Sequence, residues 1–306
     1  MTLTEWQERF QTEEACEDYL FQWRWPKGFV CPKCKGSAYW TVHVGQRKGK
    51  RLYECKACGH QTSVTAGTVF QHSKLPLRYW FWAIFLVAQD KGGISALTLK
   101  RLLNISYRAA WLMLHKIRAA MLERDSQYKL AGLVQLDDAY VGGVAHGRAG
   151  RGTTQTPVVV GLELGPRRHP RYVFVEPVPD LRAESVETVV KEHVERYGIW
   201  ETDGATVFVR IAKAMEAEHR VTLSEEGIES GRFSWIHTFV SNLKAFLQGT
   251  YHGRVRKYLR LYVKEFEWRF NRRRYGRAIC ERLLVALVTC GPRPLRQIRS
   301  FADVLS

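Results

Sequence analysis

Residues 132–141 read GLVQLDDAYV, an alternating β-rich stretch carrying two adjacent aspartates. Period-two spacing of apolar residues predicts a strand, and successive strand side chains point to opposite faces. Asp137 and Asp138 therefore face opposite sides, and only one of them enters a given site. A carboxylate set in an apolar strand must be ligated or strongly hydrogen-bonded, because a lone buried carboxylate is costly. The same β-rich character returns at 156–164 (TPVVVGLEL) and 171–178 (RYVFVEPV), with Gly, Pro and Arg turns between. An amphipathic helix is predicted over 184–197. The stretch GIWETDG (198–204) then sets a second carboxylate, Asp203, where a short strand meets a turn. A helix near 209–218, a short strand VTL (221–223) and helices near 239–248, 255–270 and 278–289 complete a mixed α/β domain.

Upstream, the pattern is helical. Residues 92–121, GGISALTLKRLLNISYRAAWLMLHKIRAAM, read as a helix-turn-helix with its corner at Asn104-Ile105-Ser106. Leu99, Leu102 and Leu103 form the buried side of the first helix, and Ala110, Trp111, Leu114, Ile117 and Met121 that of the second. Tyr107, Arg108 and Lys116 fall on the opposite face, positioned for DNA. The apolar run 79–88 (YWFWAIFLVA) has ten residues against the roughly 20 that span a bilayer, which predicts a buried helix. Leu3 to Leu20 has helical spacing. Its acids, among them Glu5, Glu8, Glu13 and Glu14, are the wrong chemistry for a secretory leader, so the expectation is a cytoplasmic protein.

Between these helical parts, Cys31, Cys34, Cys55 and Cys58 form C-x2-C-x20-C-x2-C. Two such turns supply the four thiolates of a closed tetrahedral zinc site that holds a fold without catalysing. Cys16, Cys280 and Cys290 lie in apolar helical settings and read as core.

The composition excludes several classes. With 45% hydrophobic and 25% charged residues in 306, the chain is neither disordered nor a disulfide miniprotein. Lys and Arg number 47 against 30 acids, a formal +17 that favours polyanionic partners. Positions 244–299 hold 15 Lys or Arg against 3 acids. Arg254, Arg256, Lys257, Arg272, Arg273 and Arg274 in that region are expected to line a phosphate track.

The ordered set of four-cysteine ribbon, helix pair, LDDAYVGG, TDG, HTFVSNLKAFLQGTYHG (237–253) and LRLYVKEFEWRFNRR (259–273) resembles bacterial insertion-sequence transposases. It is most similar to the insertion-sequence fifteen-ninety-five group, whose catalytic domain is RNase H-like and of the DDE class. The resemblance implies that Asp137 is the first catalytic aspartate, with Asp138 its acidic neighbour, and Asp203 the second. Asn242 matches the third position, where DDE enzymes generally have Glu and this family often has Asn; Lys244 matches the lysine of that motif. Gln135 stands where relatives commonly have an acid. On this reading two Mg²⁺ or Mn²⁺ ions serve in-line displacement at a phosphodiester, held by Asp137, Asp203 and Asn242. Glu265 either adds charge to that site or forms an i,i+4 pair with Arg269. On a regular helix Asn242 and Lys244 stand about 200° apart, which favours Lys244 as a phosphate contact. His237 and His252 read as core or DNA-facing histidines.

The resemblance further implies double-stranded DNA partners, both terminal inverted repeats and target, at least a dimer on DNA, no membrane, and a nucleoid-associated location in a bacterial cytoplasm. The expected activity is hydrolysis of one strand at the element end, then attack of the freed 3′-hydroxyl on target DNA. A catalytically dead DNA-binding regulator and a nuclease that never joins strands are the rival readings. The domains expected are 1–74 (helix and zinc ribbon), 75–125 (helix-turn-helix), 126–275 (RNase H-like) and 276–306 (C-terminal helix and tail).

Overall fold

The computed structural model describes residues 1–44, 50–143, 155–222, 231–252 and 256–302. The helical stretch at the amino end is two helices rather than one, α1 (Leu3–Arg9) and α2 (Glu13–Arg24). A threonine opens each: Thr2 Oγ1 accepts the Glu5 amide at 3.2 Å and Thr12 Oγ1 accepts the Ala15 amide at 3.1 Å. Such caps satisfy amides that have no partner inside a helix, and the cap at Thr12 divides the segment.

The ribbon follows as β1 (Tyr39–Val44), β2 (Lys50–Cys55) and β3 (Gln61–Thr62), antiparallel in that order. One face of this sheet carries Tyr39 and Tyr53. Tyr39 meets Phe29 at 4.9 Å between ring centroids, and Tyr53 meets Phe21 of α2 at 5.0 Å. Three helices come next, α3 (Leu77–Gln89), α4 (Ala96–Leu103) and α5 (Tyr107–Asp125). Glu13 caps α3, accepting the amides of Leu77 at 2.6 Å and Arg78 at 3.2 Å. The corner between α4 and α5 turns through Asn104 at φ 50°, and Ser106 Oγ accepts the Ala109 amide.

The chain divides into two compact units. The first comprises Met1–Gln89, Ala96–Ala120 and Tyr275–Pro294, and it includes helix α10 (Ile279–Thr289) packed on α2 and α3. The second comprises Asp90–Ser95, Met121–Arg274 and Leu295–Ser306. Its strands are β4 (Leu133–Val141), β5 (Thr156–Leu164), β6 (Pro170–Pro177), β7 (Ile199–Thr202) and β8 (Glu218–Val221). Its helices beyond the end of α5 are α6 (Ala183–His193), α7 (Thr206–Ala214), α8 (Ser234–Tyr251), α9 (Leu259–Asn271) and α11 (Leu295–Ser300). The sheet order is β6-β5-β4-β7-β8, with β5 antiparallel to both β4 and β6, and β7 and β8 parallel to β4.

Alternation along β4 sorts the core into two layers. Val134 and Leu136 pack with Val186 and Val190 of α6 and Phe208 and Ile211 of α7. Ala139 and Val141 pack with Ile236, Phe239 and Leu243 of α8 and Val263 of α9. This mixed helix and sheet domain is consistent with an RNase H-like transposase fold. Two predicted elements are shorter or shifted. The helix expected to reach 197 ends at His193, because Val194 is extended and bridges Leu130. The helix expected over 209–218 occupies Thr206–Ala214, and Glu216 at φ 55° turns the chain into β8 ahead of the predicted VTL strand.

The segment EFEWRFNRR closes the outer edge of the sheet. On α9, Glu267 accepts the Val175 amide at 2.8 Å, and Asn271 both accepts from Val173 N at 2.8 Å and donates to Val173 O at 3.0 Å. Two side chains one helical turn apart thus satisfy backbone groups that an edge strand otherwise exposes. Buried Lys264 bridges Glu267 at 2.7 Å and Glu176 of β6 at 3.1 Å. Arg260 adds a contact to Glu176 at 2.5 Å. Burial pushes the Glu176 carboxyl up, but Lys264, His193 and Arg260 outweigh it and hold the group at about 2. Its ordinary value is 4.5, so its contribution is complete above that pH and is lost as pH falls toward 2. The expected loss is about 3 kcal/mol. Urea unfolding at pH 7 and pH 3 should show a smaller pH dependence in Glu176→Gln than in the natural chain.

Candidate active site and zinc centre

Asp137 lies on β4 and Asp203 directly follows β7. The parallel register pairs Gln135 with Glu201, so two residues further along both chains bring Asp137 and Asp203 to neighbouring positions. Beneath them lies a buried polar support. Gln135 Nε2 donates to Glu201 Oε2 at 3.1 Å and to the Arg232 carbonyl at 2.8 Å, and Arg168 grips Glu201 with both guanidinium nitrogens, at 3.0 and 2.5 Å. The acid of this layer therefore comes from β7, with an amide at Gln135 on β4.

Asp137 opens into a cleft of about 460 Å³ lined also by Asp138, Gln155, His237, Ser241 and Lys244. Burial pushes the Asp137 carboxyl up to about 7, and the charges of Asp138 and Asp203 act in the same direction. The Asp138 amide, donating to Asp137 Oδ1 at 2.8 Å, and the Lys244 ammonium oppose that rise. A half-buried carboxylate crowded by two others has the electrostatics of a divalent-cation site.

Helix α8 supplies the opposite wall. His237, Ser241 and Lys244 are spaced i, i+4 and i+7, one face of a helix, and His237 Nε2 stands 3.6 Å from Asp137 Oδ2. Asn242 is exposed and is not among the residues lining the cleft. At 3.6 residues per turn it points about 140° away from His237 and about 200° away from Lys244. The helix is regular through this stretch, so the face that presents His237 to Asp137 is not the face that carries Asn242. The spacing of His237, Ser241 and Lys244 was readable as a polar helix face.

Other expected site residues have different work. Glu265 is buried and pairs with Arg269 at 2.7 Å, and the Tyr251 hydroxyl donates to it at 3.3 Å. That is the i,i+4 alternative, realised inside the domain. Lys116 is buried and donates to the Val69 carbonyl at 3.3 Å, so it does not share the surface of Tyr107 and Arg108, both exposed in the first turn of α5. The reason is that α5 is enclosed from Met113 to Met121. Arg272 is likewise buried, paired with Asp125 at 2.7 Å and set over Trp268. Arg273 donates to the carbonyls of Pro170, Arg171 and Phe270, and Arg274 to that of Pro170, so the arginine run clamps the start of β6. Lys257 is exposed. Arg254 and the side chain of Arg256 lie outside the described residues.

In the first unit, the Sγ atoms of Cys31, Cys34, Cys55 and Cys58 lie within 4.8 Å of one another. Cys31 and Cys58 are 3.7 Å apart and Cys34 and Cys55 3.4 Å. Tetrahedral zinc with bonds of about 2.3 Å separates its sulfurs by about 3.8 Å, so the donor set fits structural Zn²⁺. Among the described residues no helix is long and apolar enough to cross a membrane.

Both regions match known protein families. Residues 129–271 match the ISXO2-like transposase domain, and residues 11–61 match the transposase zinc-ribbon domain. The chain thus carries two separate regions that resemble transposase domains, one of them a zinc ribbon. It is 29% identical over 140 residues to an uncharacterized protein in transposable element ISH50 of Halobacterium salinarum. That match covers 45% of this chain and 45% of the relative, so the chain spans under half the length of the curated relative it matches. The relative is archaeal, and the likeness is not confined to bacteria. Among solved structures the chain is similar to a pre-cleavage Mos1 transpososome, with 13% identity, 72% of this chain and 81% of that chain covered, and a TM-score of 0.27. A Mos1 transposase paired-end complex with left transposon end gives 14% identity, coverage of 72% and 82%, and the same TM-score.

Proposed function

We propose that this chain is a DNA transposase that cleaves at the ends of its element and joins the freed 3′-hydroxyl to target DNA. The observation that carries the reading is a cleft holding Asp137 and His237, with the Asp203 charge near enough to raise the Asp137 carboxyl, inside a segment matching a transposase domain. Asp137 and Asp203 are the anionic ligands, and His237, rather than Asn242, is the third. When bound, two Mg²⁺ or Mn²⁺ ions would supply Lewis-acid stabilisation of the attacking and leaving oxygens. The chain's own contributions are positional. Gln135, Glu201 and Arg168 fix the strand ends under the aspartates, and Lys244 contacts the phosphate across the cleft. The zinc ribbon and the helix pair within 75–125 recognise terminal repeats, with Tyr107 and Arg108 at the DNA. Lys257, Arg254 and Arg256 extend the phosphate track. Because two ends must be held together, at least a dimer assembles on DNA.

The test is a joining assay with labelled terminal-repeat oligonucleotides, target plasmid and Mg²⁺ or Mn²⁺. Joined products and 3′-hydroxyl nicks at the element boundary are expected. Binding with no nick in either metal would indicate the regulator, and nicks without joining the nuclease. Replacing single residues separates the third ligand: His237→Ala should lower joining about 10- to 100-fold or more, while Asn242→Ala stays near the natural chain. The reverse ranking would restore Asn242 to the site.

A further inference from the structure

We propose that the outer face of the zinc-ribbon sheet, centred on Trp40, is a stacking surface for single-stranded nucleic acid. The inference rests on reading the chain as an enzyme acting on DNA and adds a substrate state and a contact to it. The β1–β2 register puts Trp40, Val42 and Val44 on the same face as Leu52 and Glu54. The other face carries Tyr39 and Tyr53, which the aromatic cluster with Phe21 and Phe29 covers. The outer face is open: Trp40 is 60% exposed and Val44 51%. A sheet with its aromatic residues packed on one side, yet a tryptophan and branched residues presented on the other, leaves an apolar surface unexplained by folding.

Charge selects the occupant. Positions 27–62 hold eight Lys or Arg and a single acid, Glu54. That acid is engaged by Gln61 Nε2 at 2.6 Å. Lys56 Nζ lies 3.6 Å from the centroid of the Trp40 ring. An apolar protein partner fits poorly, because interface centres are depleted in lysine. A polyanion with apolar planes fits well: the ring takes a base and the ammonium takes the adjoining phosphate. Duplex DNA keeps its base faces stacked inside, whereas unpaired nucleotides offer them, and open sheets with surface aromatics bind single strands in this way.

The experiment uses the full zinc-loaded chain and fluorescence anisotropy with an oligothymidylate of about 15 nucleotides, alongside a duplex of equal length. Trp40→Ala should weaken oligothymidylate binding about tenfold or more, a base–aromatic stack being lost. Trp40→Phe should recover most of that loss, and the duplex affinity should change by less than about twofold. Zinc content and melting temperature should match the natural chain, since the side chain is at the surface. Equal losses on single strand and duplex, no loss on either, or a change only in sedimentation (a face for a second copy) would each overturn the proposal. If the natural chain binds no DNA of any kind, the transposase reading falls and this inference with it. If it joins strands while Trp40→Ala binds oligothymidylate normally, this inference alone falls.

Discussion

Asp137→Asn is expected to leave the fold intact and remove both end cleavage and strand joining. The substitution keeps the size of the side chain and deletes one charge from a group of three carboxylates. Burial together with Asp138 and Asp203 already disfavours that charge in the metal-free protein. Neutralising it relieves the crowding, so the variant should melt at or above the temperature of the natural chain. Activity moves the other way. Removing a group that manages developing charge costs at least about 100-fold, and a residue that would hold a catalytic metal sits at the upper end of such effects. A stable, DNA-binding, inactive Asp137→Asn chain would place the residue in the chemistry, whereas an unstable one would assign it to the strand. The measurement is calorimetric melting alongside the joining assay, with metal and without.

Zinc removal should produce the second large effect. Structural zinc contributes about 10–16 kcal/mol of apparent binding free energy in small ribbon-like modules. The three short strands of the ribbon bury little beyond the aromatic cluster of Tyr39, Tyr53, Phe21 and Phe29. Cys31→Ser, which deletes one of the four thiolates, is therefore expected to unfold residues 27–62 and abolish recognition of terminal repeats. The sheet domain, with its own two-layer core, should keep its melting transition. Circular dichroism melts and metal content by absorption spectroscopy would show this. A single cooperative loss of the whole chain would mean that the two units depend on one another for folding.

Much of this architecture was written in local patterns. The strands at 132–141, 156–164 and 171–178 follow from β-rich stretches between Gly, Pro and Arg turns, and the four thiolates from their spacing. The corner at Asn104 followed from its neighbours, since asparagine tolerates the left-handed backbone found there. What escaped depended on partners distant in sequence. Lys116 and Arg272 look like surface cations, and their burial depends on Val69, Asp125 and Trp268, which no local pattern brings near. Glu265 stood as a candidate for the metal site, yet it is buried against Arg269 one turn along α9. Family likeness pointed to Asn242, whereas the helical phase that sets His237 beside Asp137 was available from 3.6 residues per turn.

The most direct measurement is a crystal structure of the full chain soaked with Mn²⁺, using anomalous scattering to locate the ions. Density between Asp137 and Asp203, with a His237 nitrogen in the coordination shell and Asn242 outside it, is the predicted result. Manganese held elsewhere, or coordinated by Asn242 with His237 turned away, would contradict the account.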